Sequence, residues 1–243
     1  MIHKAESLVV ASSWQRNQLA LQKHLQTEPL KDFLTWSTIQ ATMYVGDAPY
    51  IPAELSSIPA EQYHILRNPG IGGLQNGDLC TNLIHQYYHL KQWLDRTRQS
   101  LGAMDSIIEI GAGYGAMCLI CRRLGFEGRY YIVDLPELEQ IQWYYLSQTV
   151  PDYRSTAHWI KSPKSCDLLI ACHSISEMPK SEREEIMSQI EVKEYLFTSF
   201  YKFDGVDNEA WFKKFAEKNP NSNWDFYLHP YQENIFYQVG VMT

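Results

Sequence analysis

Apolar positions recur at helical spacing near the start of the chain. Leu8, Val9, Trp14, Leu19, Leu21 and Leu25 form a loose stripe within residues 6–26, which Pro29 closes. This predicts a helix, followed by a second over 31–43. The periodicity then stops. Between Tyr44 and Gly77, Pro49, Pro52, Pro59 and Pro69 alternate with Gly46, Gly70, Gly72, Gly73 and Gly77, leaving little room for regular structure. A loop of that length in a compact protein usually serves function, and it is read here as a substrate lid. Asp78 is positioned to cap a helix reaching about Gln99, with Leu79, Leu83, Tyr87, Leu90 and Leu94 on its buried stripe.

From residue 106 the pattern alternates short β-rich runs with helices, as in a parallel sheet covered on both faces. Strands are expected at 106–110, 130–134, 156–160, 167–172 and 195–201. Gly125 should end the first intervening helix, and Pro136 should open the second with Glu137 and Glu139 at its positive end. Ser181 and Glu184 read as a capping box, and Asp207 as a cap for the last helix. The runs 224–228 and 235–242 are separated by only six residues, too few for a crossover helix, so the sheet should end in an antiparallel pair. The expected fold class is therefore α/β, a Rossmann-like sheet over 78–243 with a helical cap and lid over 1–77.

Composition narrows the function. The 243 residues are 45% hydrophobic and carry 21 basic against 28 acidic side chains, a formal charge of −7 that disfavours gripping nucleic-acid phosphates. The sequence shows neither a membrane-length apolar run nor a signal peptide, so a cytoplasmic location is expected. Five cysteines, Cys80, Cys118, Cys121, Cys166 and Cys172, are an odd number and read as reduced thiols.

The sharpest chemical signal is Ile107-Ile108-Glu109-Ile110-Gly111-Ala112-Gly113-Tyr114-Gly115, a strand entering a glycine turn and then a helix. Glycines there allow a tight turn and let a ligand lie against main-chain N–H groups. Gly111, Gly113 and Ala116 also satisfy the dinucleotide fingerprint, which keeps an NAD(P)-dependent oxidoreductase as an alternative. Glu109 separates the two. An ionised carboxylate in a buried strand needs a cationic or hydrogen-bonding partner, and S-adenosylmethionine supplies one. Asp134 lies 25 residues on, at the end of Tyr130-Tyr131-Ile132-Val133-Asp134, where a carboxylate can accept both ribose hydroxyls.

The glycine segment resembles motif I of the class I S-adenosylmethionine-dependent methyltransferases. Together with Tyr131-Ile132-Val133-Asp134-Leu135-Pro136, the later Tyr144-Tyr145-Leu146, and His173-Ser174-Ile175-Ser176-Glu177-Met178, it resembles the sugar O-methyltransferase family over roughly residues 75–205. The resemblance implies an S-adenosylmethionine site formed by Glu109, Gly111, Ala112, Gly113, Tyr114, Gly115, Asp134 and Leu135, with Cys172 and His173 toward the sulfonium. It also implies methyl transfer to a hydroxyl of a small polar acceptor, a sugar or a glycosylated or natural-product metabolite. A noncatalytic S-adenosylmethionine-binding scaffold is the other alternative.

An attacking hydroxyl must lose its proton, which makes His173 the first candidate base and Glu177 the second. His85, Tyr88, His89 and Arg67 are candidate substrate contacts. His85 and His89 share a helical face at a spacing that zinc ligands use, but no third ligand is evident in the sequence, so no metal is expected. Cys118-x-x-Cys121 lacks a second cysteine pair and reads as buried thiols. Tyr44, Tyr50 and Tyr63, beside His64, supply flat rings suited to a sugar face.

Overall fold

A computed structural model describes residues 12–71, 75, 76, 78–160 and 164–243. Residues 6–11 of the expected first helix, with Leu8 and Val9, and Gly72, Gly73 and Gly77 of the expected lid lie outside the described residues.

Seven strands form the main sheet: β1 (Ser106–Ile110), β2 (Arg129–Val133), β3 (Ala157–Trp159), β4 (Ser165–Cys172), β5 (Glu191–Phe200), β6 (Ser222–Leu228) and β7 (Ile235–Met242). Their spatial order is β3-β2-β1-β4-β5-β7-β6. The strands from β3 to β5 pair in parallel, and β7 runs antiparallel to both its neighbours. The short final connection thus gives the antiparallel pair that its length requires.

Alternation along the central strands explains burial on both faces. Ile107, Leu168 and Ile170 enter one apolar cluster, while Ile108, Ile110, Leu169 and Ala171 enter the other. The chain winds outward from β1 through β2 to β3, then crosses back to β4. The order reverses between β1 and β4, and the carboxyl ends of such a pair frame a crevice.

The helices that follow the strands begin and end largely as their sequences dictate. Helix α5 (Ala116–Arg123) is followed by Gly125 at φ +87°, and α6 (Pro136–Thr149) carries Pro136 in its first turn. The short α7 (Tyr153–Thr156) and α8 (Ser174–Glu177) precede α9 (Lys180–Ser188), and α10 (Asn208–Lys218) is capped by Asp207, whose carboxylate accepts the Ala210 N–H at 3.0 Å. The capping box is not formed: α9 starts at Lys180 behind Pro179, without a side-chain cap, so Ser181 falls inside the first turn.

The N-terminal part departs further from expectation. The first helix, α1, covers Ser12–Thr27 of the described chain. The single helix expected over 31–43 is divided into a 3-10 turn (Leu30–Thr35) and α2 (Ser37–Thr42), because Trp36 is extended and buried, stacked on His24. The stretch expected to be irregular contains α3 (Ile51–Ser56) and a 3-10 turn (Ala60–Leu66). Pro52 sits in the opening turn of α3, where its missing N–H costs nothing, and Ile51, Ile58, Ile65 and Leu66 are buried. Asp78 does not cap the next helix. A two-residue ladder pairs Gln75–Asn76 with Leu79–Cys80, and α4 (Thr81–Thr97) begins after it.

Residues of this N-terminal part share one apolar cluster with the sheet. The Phe33 ring lies 5.6 Å from that of Tyr114, directly after the glycine pair, and 6.4 Å from Tyr144 and Tyr145. Gln18 and Gln22 of α1 donate to the Glu137 carboxylate at the start of α6.

Candidate functional site

At the carboxyl end of β1 the chain turns through Gly111, Gly113 and Gly115, all in the left-handed region at φ +71°, +58° and +98°. Side chains resist that region, and Gly111 has a second reason to lack one. A Cβ there would lie 2.2 Å from the Cβ of Ser174, whose hydroxyl donates to the Ile110 carbonyl as the chain leaves β4. The elbow and the exit of β4 are therefore pressed together at the switch point.

A cavity of about 460 Å³ opens against this elbow. Glu109, Gly111, Ala112, Gly113, Tyr114, Asp134, Leu135, Cys172, His173, Glu177 and His85 lie on its wall. Four of the expected residues do not. Gly115 begins α5 behind the elbow, and His89 is buried beyond His85. Tyr88 is buried against His229 and Tyr231, and Arg67 is exposed, with its carbonyl accepting from Arg123. Of the segment 160–165, in which no clear adenine-contacting acid is evident, residues 161–163 lie outside the described residues.

Two carboxylates flank the elbow. Glu109 is buried and accepts the Tyr130 hydroxyl at 2.7 Å; burial, reinforced by nearby Asp134 and opposed by that bond, raises its pKa to about 8. No arginine is among the groups that shift it. Asp134 accepts the Leu135 N–H at 2.8 Å and the Gln142 amide at 2.7 Å, and burial raises it to about 7 against those bonds. The main-chain N–H groups of Ala112 and Gly113 also reach this carboxylate and oppose the rise. Gln142 also donates to the Gly113 carbonyl and accepts from the Trp159 indole, which ties the acid to the glycine turn.

Across the cavity, Glu177 accepts the indole N–H of Trp14 at 2.7 Å, and burial raises its pKa to about 7, with Asp204 adding to the rise. A carboxylate in that range suits proton acceptance at neutral pH. His173 is different. Its backbone is at φ +67°, ψ −34°, a conformation a non-glycine residue holds only when its surroundings impose it. Its N–H donates to the Thr198 carbonyl, its ring packs 4.7 Å from Phe200, and its Nδ1 has no partner. Burial pushes its pKa down to about 3, leaving a neutral imidazole that is a weak base near pH 7.

Behind His173 the structure assembles a cluster that the sequence did not reveal. Glu54 of α3 is fully buried and accepts from His85 Nδ1 at 3.0 Å; His229, from the turn before β7, reaches the same carboxylate at 3.3 Å. His89 pairs its Nδ1 with the Tyr237 hydroxyl at 2.7 Å, and its Nε2 lies 3.1 Å from His85 Nε2. The third ring sought beside His85 and His89 is His173: one nitrogen from each of the three rings lies within 4.8 Å of the others.

Glu54, Gln142 and Trp14 are the residues that sequence reasoning missed. Glu54 and Gln142 carry a weak signal, since each is a polar side chain at a buried position of a helical stripe, beside Ile51 and Ile58 or Leu138 and Tyr145. The five cysteines are free, and Cys118 and Cys121 are buried in α5 as small apolar packing groups.

Solved structures share this architecture. The methyltransferase domain of bacterial CtHen1, in the form described as CtHen1-CN, matches at 13% identity and TM-score 0.51 over 66% of this chain and 100% of that one. The CtHen1-C form matches at 13% identity and TM-score 0.50, over 65% of this chain and 98% of that one. The glycopeptide N-methyltransferase MtfA complexed with (S)-adenosyl-L-methionine matches at 10% identity and TM-score 0.48, over 63% and 92% of the two chains. No family model and no curated protein matches the sequence. At these identities the likeness is one of fold: the chain has the Rossmann-like α/β fold of methyltransferases, with a mostly parallel seven-stranded sheet. Among the described residues no helix is long and apolar enough to cross a membrane.

Proposed function

We propose that the protein is an S-adenosylmethionine-dependent O-methyltransferase acting on a hydroxyl of a small polar acceptor, a sugar or a glycosylated or natural-product metabolite. One observation carries the reading: a left-handed glycine elbow at the switch point, flanked by the carboxylates of Glu109 and Asp134, opens into a cavity.

The residues present fit the cofactor. The elbow, bare of side chains at Gly111 and Gly113, suits close approach of its amino-acid end to the main chain, and Glu109 is a buried acid that a cation would hold ionised. Asp134 lines the cavity, where the ribose hydroxyls would exchange with its present donors, and Leu135 offers an apolar edge for the base. When bound, the cofactor supplies an electrophilic methyl on a sulfonium.

Glu177 is the base in this reading. An acceptor hydroxyl attacking that methyl would pass its proton to the Glu177 carboxylate. Trp14 holds that carboxylate through its N–H. His173 shapes the wall next to it. The acceptor side offers the rings of Trp14, Tyr44, Tyr50 and Phe200 beside the polar groups of Asn82, Gln86 and Gln232, a combination suited to the two-faced surface of a sugar. Tyr44, Val45 and Tyr50 contribute to that wall, and in this reading residues 44–77 act as a lid, with 78–243 as the catalytic core in the cytoplasm.

Calorimetry with S-adenosylhomocysteine, followed by transfer of labelled methyl to a panel of hydroxylated acceptors, tests the proposal. One bound ligand per chain and label in an ether product are expected. Absence of binding, or retention of a nicotinamide cofactor instead, overturns it.

A further inference from the structure

Three imidazoles from two distant segments converge beside the cavity. His85 and His89 lie one turn apart on α4, and His173 projects from the end of β4, with one nitrogen of each ring within 4.8 Å of the others. From their geometry and their supporting residues, we infer that His85, His89 and His173 form a binding site for a divalent transition-metal ion of the zinc type, open toward the acceptor side of the cavity.

The supporting contacts are those a metal site requires. A ligating histidine donates its remote N–H to an acceptor that fixes its ring and tautomer. His85 has Glu54 at its Nδ1, and Glu54 is fully buried and steadied by His229; His89 has the Tyr237 hydroxyl at its Nδ1. Both Nε2 atoms then face one space, 3.1 Å apart. Two nitrogens bound at about 2.0–2.1 Å in a tetrahedron stand about 3.3 Å apart, close to that separation. A shared proton would also satisfy these two rings, but it leaves His173 Nδ1 buried without a partner. An ion accounts for all three.

The donor set selects the ion. Three neutral imidazoles suit zinc and its first-row neighbours, whereas magnesium and calcium call for oxygen ligands. Three protein ligands leave a fourth position free, as in catalytic rather than structural sites. His85 and His173 line the cavity and His89 lies behind them, so the free position faces the space assigned above to the acceptor. This role rests on the methyltransferase reading: a cation there orients the acceptor oxygen and lowers the pKa of its hydroxyl. Ion binding itself does not depend on that reading.

The test is equilibrium dialysis of the chelator-treated full chain against Zn²⁺, with elemental analysis, and against Co²⁺, with visible absorption. About one ion per chain and a d–d band of four- or five-coordinate cobalt are expected. His85→Ala and His173→Ala should each weaken binding at least about 100-fold, and Glu54→Gln about 10- to 100-fold, as for loss of an orienting partner. His64→Ala, on the exposed face of the 3-10 turn, should change nothing. Circular dichroism and a thermal melt report whether a variant is folded, and where an alanine variant is unfolded, Glu54→Gln and the cobalt spectrum decide. No ion on the wild-type chain, or an ion retained equally by the folded variants, overturns the inference. An ion lost on mutation from a chain that never binds S-adenosylhomocysteine upholds the metal site and defeats the methyltransferase reading instead.

Discussion

The two sides of the cavity are built by different means. The glycine elbow is made of main chain, from one contiguous segment that combines strand, turn and helix start, with a carboxylate at each flank. The opposite side is made of side chains delivered by α1, α2, the approach to α3 at Tyr50, α4, the end of β4 and the turn before β7. A backbone site is specified by local conformation and tolerates few changes of residue type. A side-chain site is specified by tertiary packing, and single contacts within it can be altered without moving the chain.

That contrast is most sharply tested at Gly111. Gly111→Val adds a Cβ that meets Ser174 at 2.2 Å and forces a β-branched residue to φ +71°. The summed cost of a left-handed side chain and of overpacking is about 2–5 kcal/mol, so thermal melts should show a large drop in midpoint and calorimetry a loss of S-adenosylhomocysteine binding. A variant of normal stability would show that the elbow is not pressed against β4.

On the side-chain wall, Glu177→Gln should lower kcat by about 10²- to 10⁴-fold and leave S-adenosylhomocysteine affinity nearly unchanged. If Glu177 is the base, it must be ionised, so kcat should rise with pH through about 7, where burial, with Asp204 adding to it and the Trp14 bond opposing it, sets this group. An unchanged rate in the variant removes Glu177 from the chemistry.

Glu109 joins the two sides through charge. In the free protein its pKa stands at about 8 against an unperturbed 4.5, among Tyr130, Asp134 and the thiols of Cys118, Cys121 and Cys172. A carboxyl raised on folding favours the folded state while protonated. Its contribution is fully present below about pH 4.5 and is lost as pH rises through about 8. A bound ammonium or sulfonium reverses the preference, so binding near pH 7 should release a proton, measurable by calorimetry in buffers of different ionisation enthalpy. Glu109→Gln should reduce the release and weaken binding by about 1.5–3 kcal/mol. The smallest effect belongs to Trp14→Phe, which removes one hydrogen bond to Glu177 and should move the alkaline rise in kcat to higher pH, with kcat at pH 7 reduced less than about 10-fold.

The same division explains what the sequence disclosed. The strands, the elbow, Glu109, Asp134, the Asp207 cap and the antiparallel end of the sheet follow from period-2 runs, glycine positions and connection length, all local properties. Trp36 breaking a helix, α3 forming among prolines, and Glu54 meeting His85 and His229 depend on contacts between residues far apart in the chain. Spacing alone paired His85 with His89. It could not supply His173, whose approach is set by the packing of β4 beside β1.

The ring of Phe33 against Tyr114 carries one more consequence. The residue that follows the glycine pair is braced by a turn lying in sequence between Trp14 and Tyr44, both on the cavity wall, so under the proposed function selectivity and cofactor geometry would be mechanically linked. Grafting a foreign N-terminal segment would need to bring an aromatic of similar size to that spot, or the glycine turn would loosen along with any change in the opposite wall.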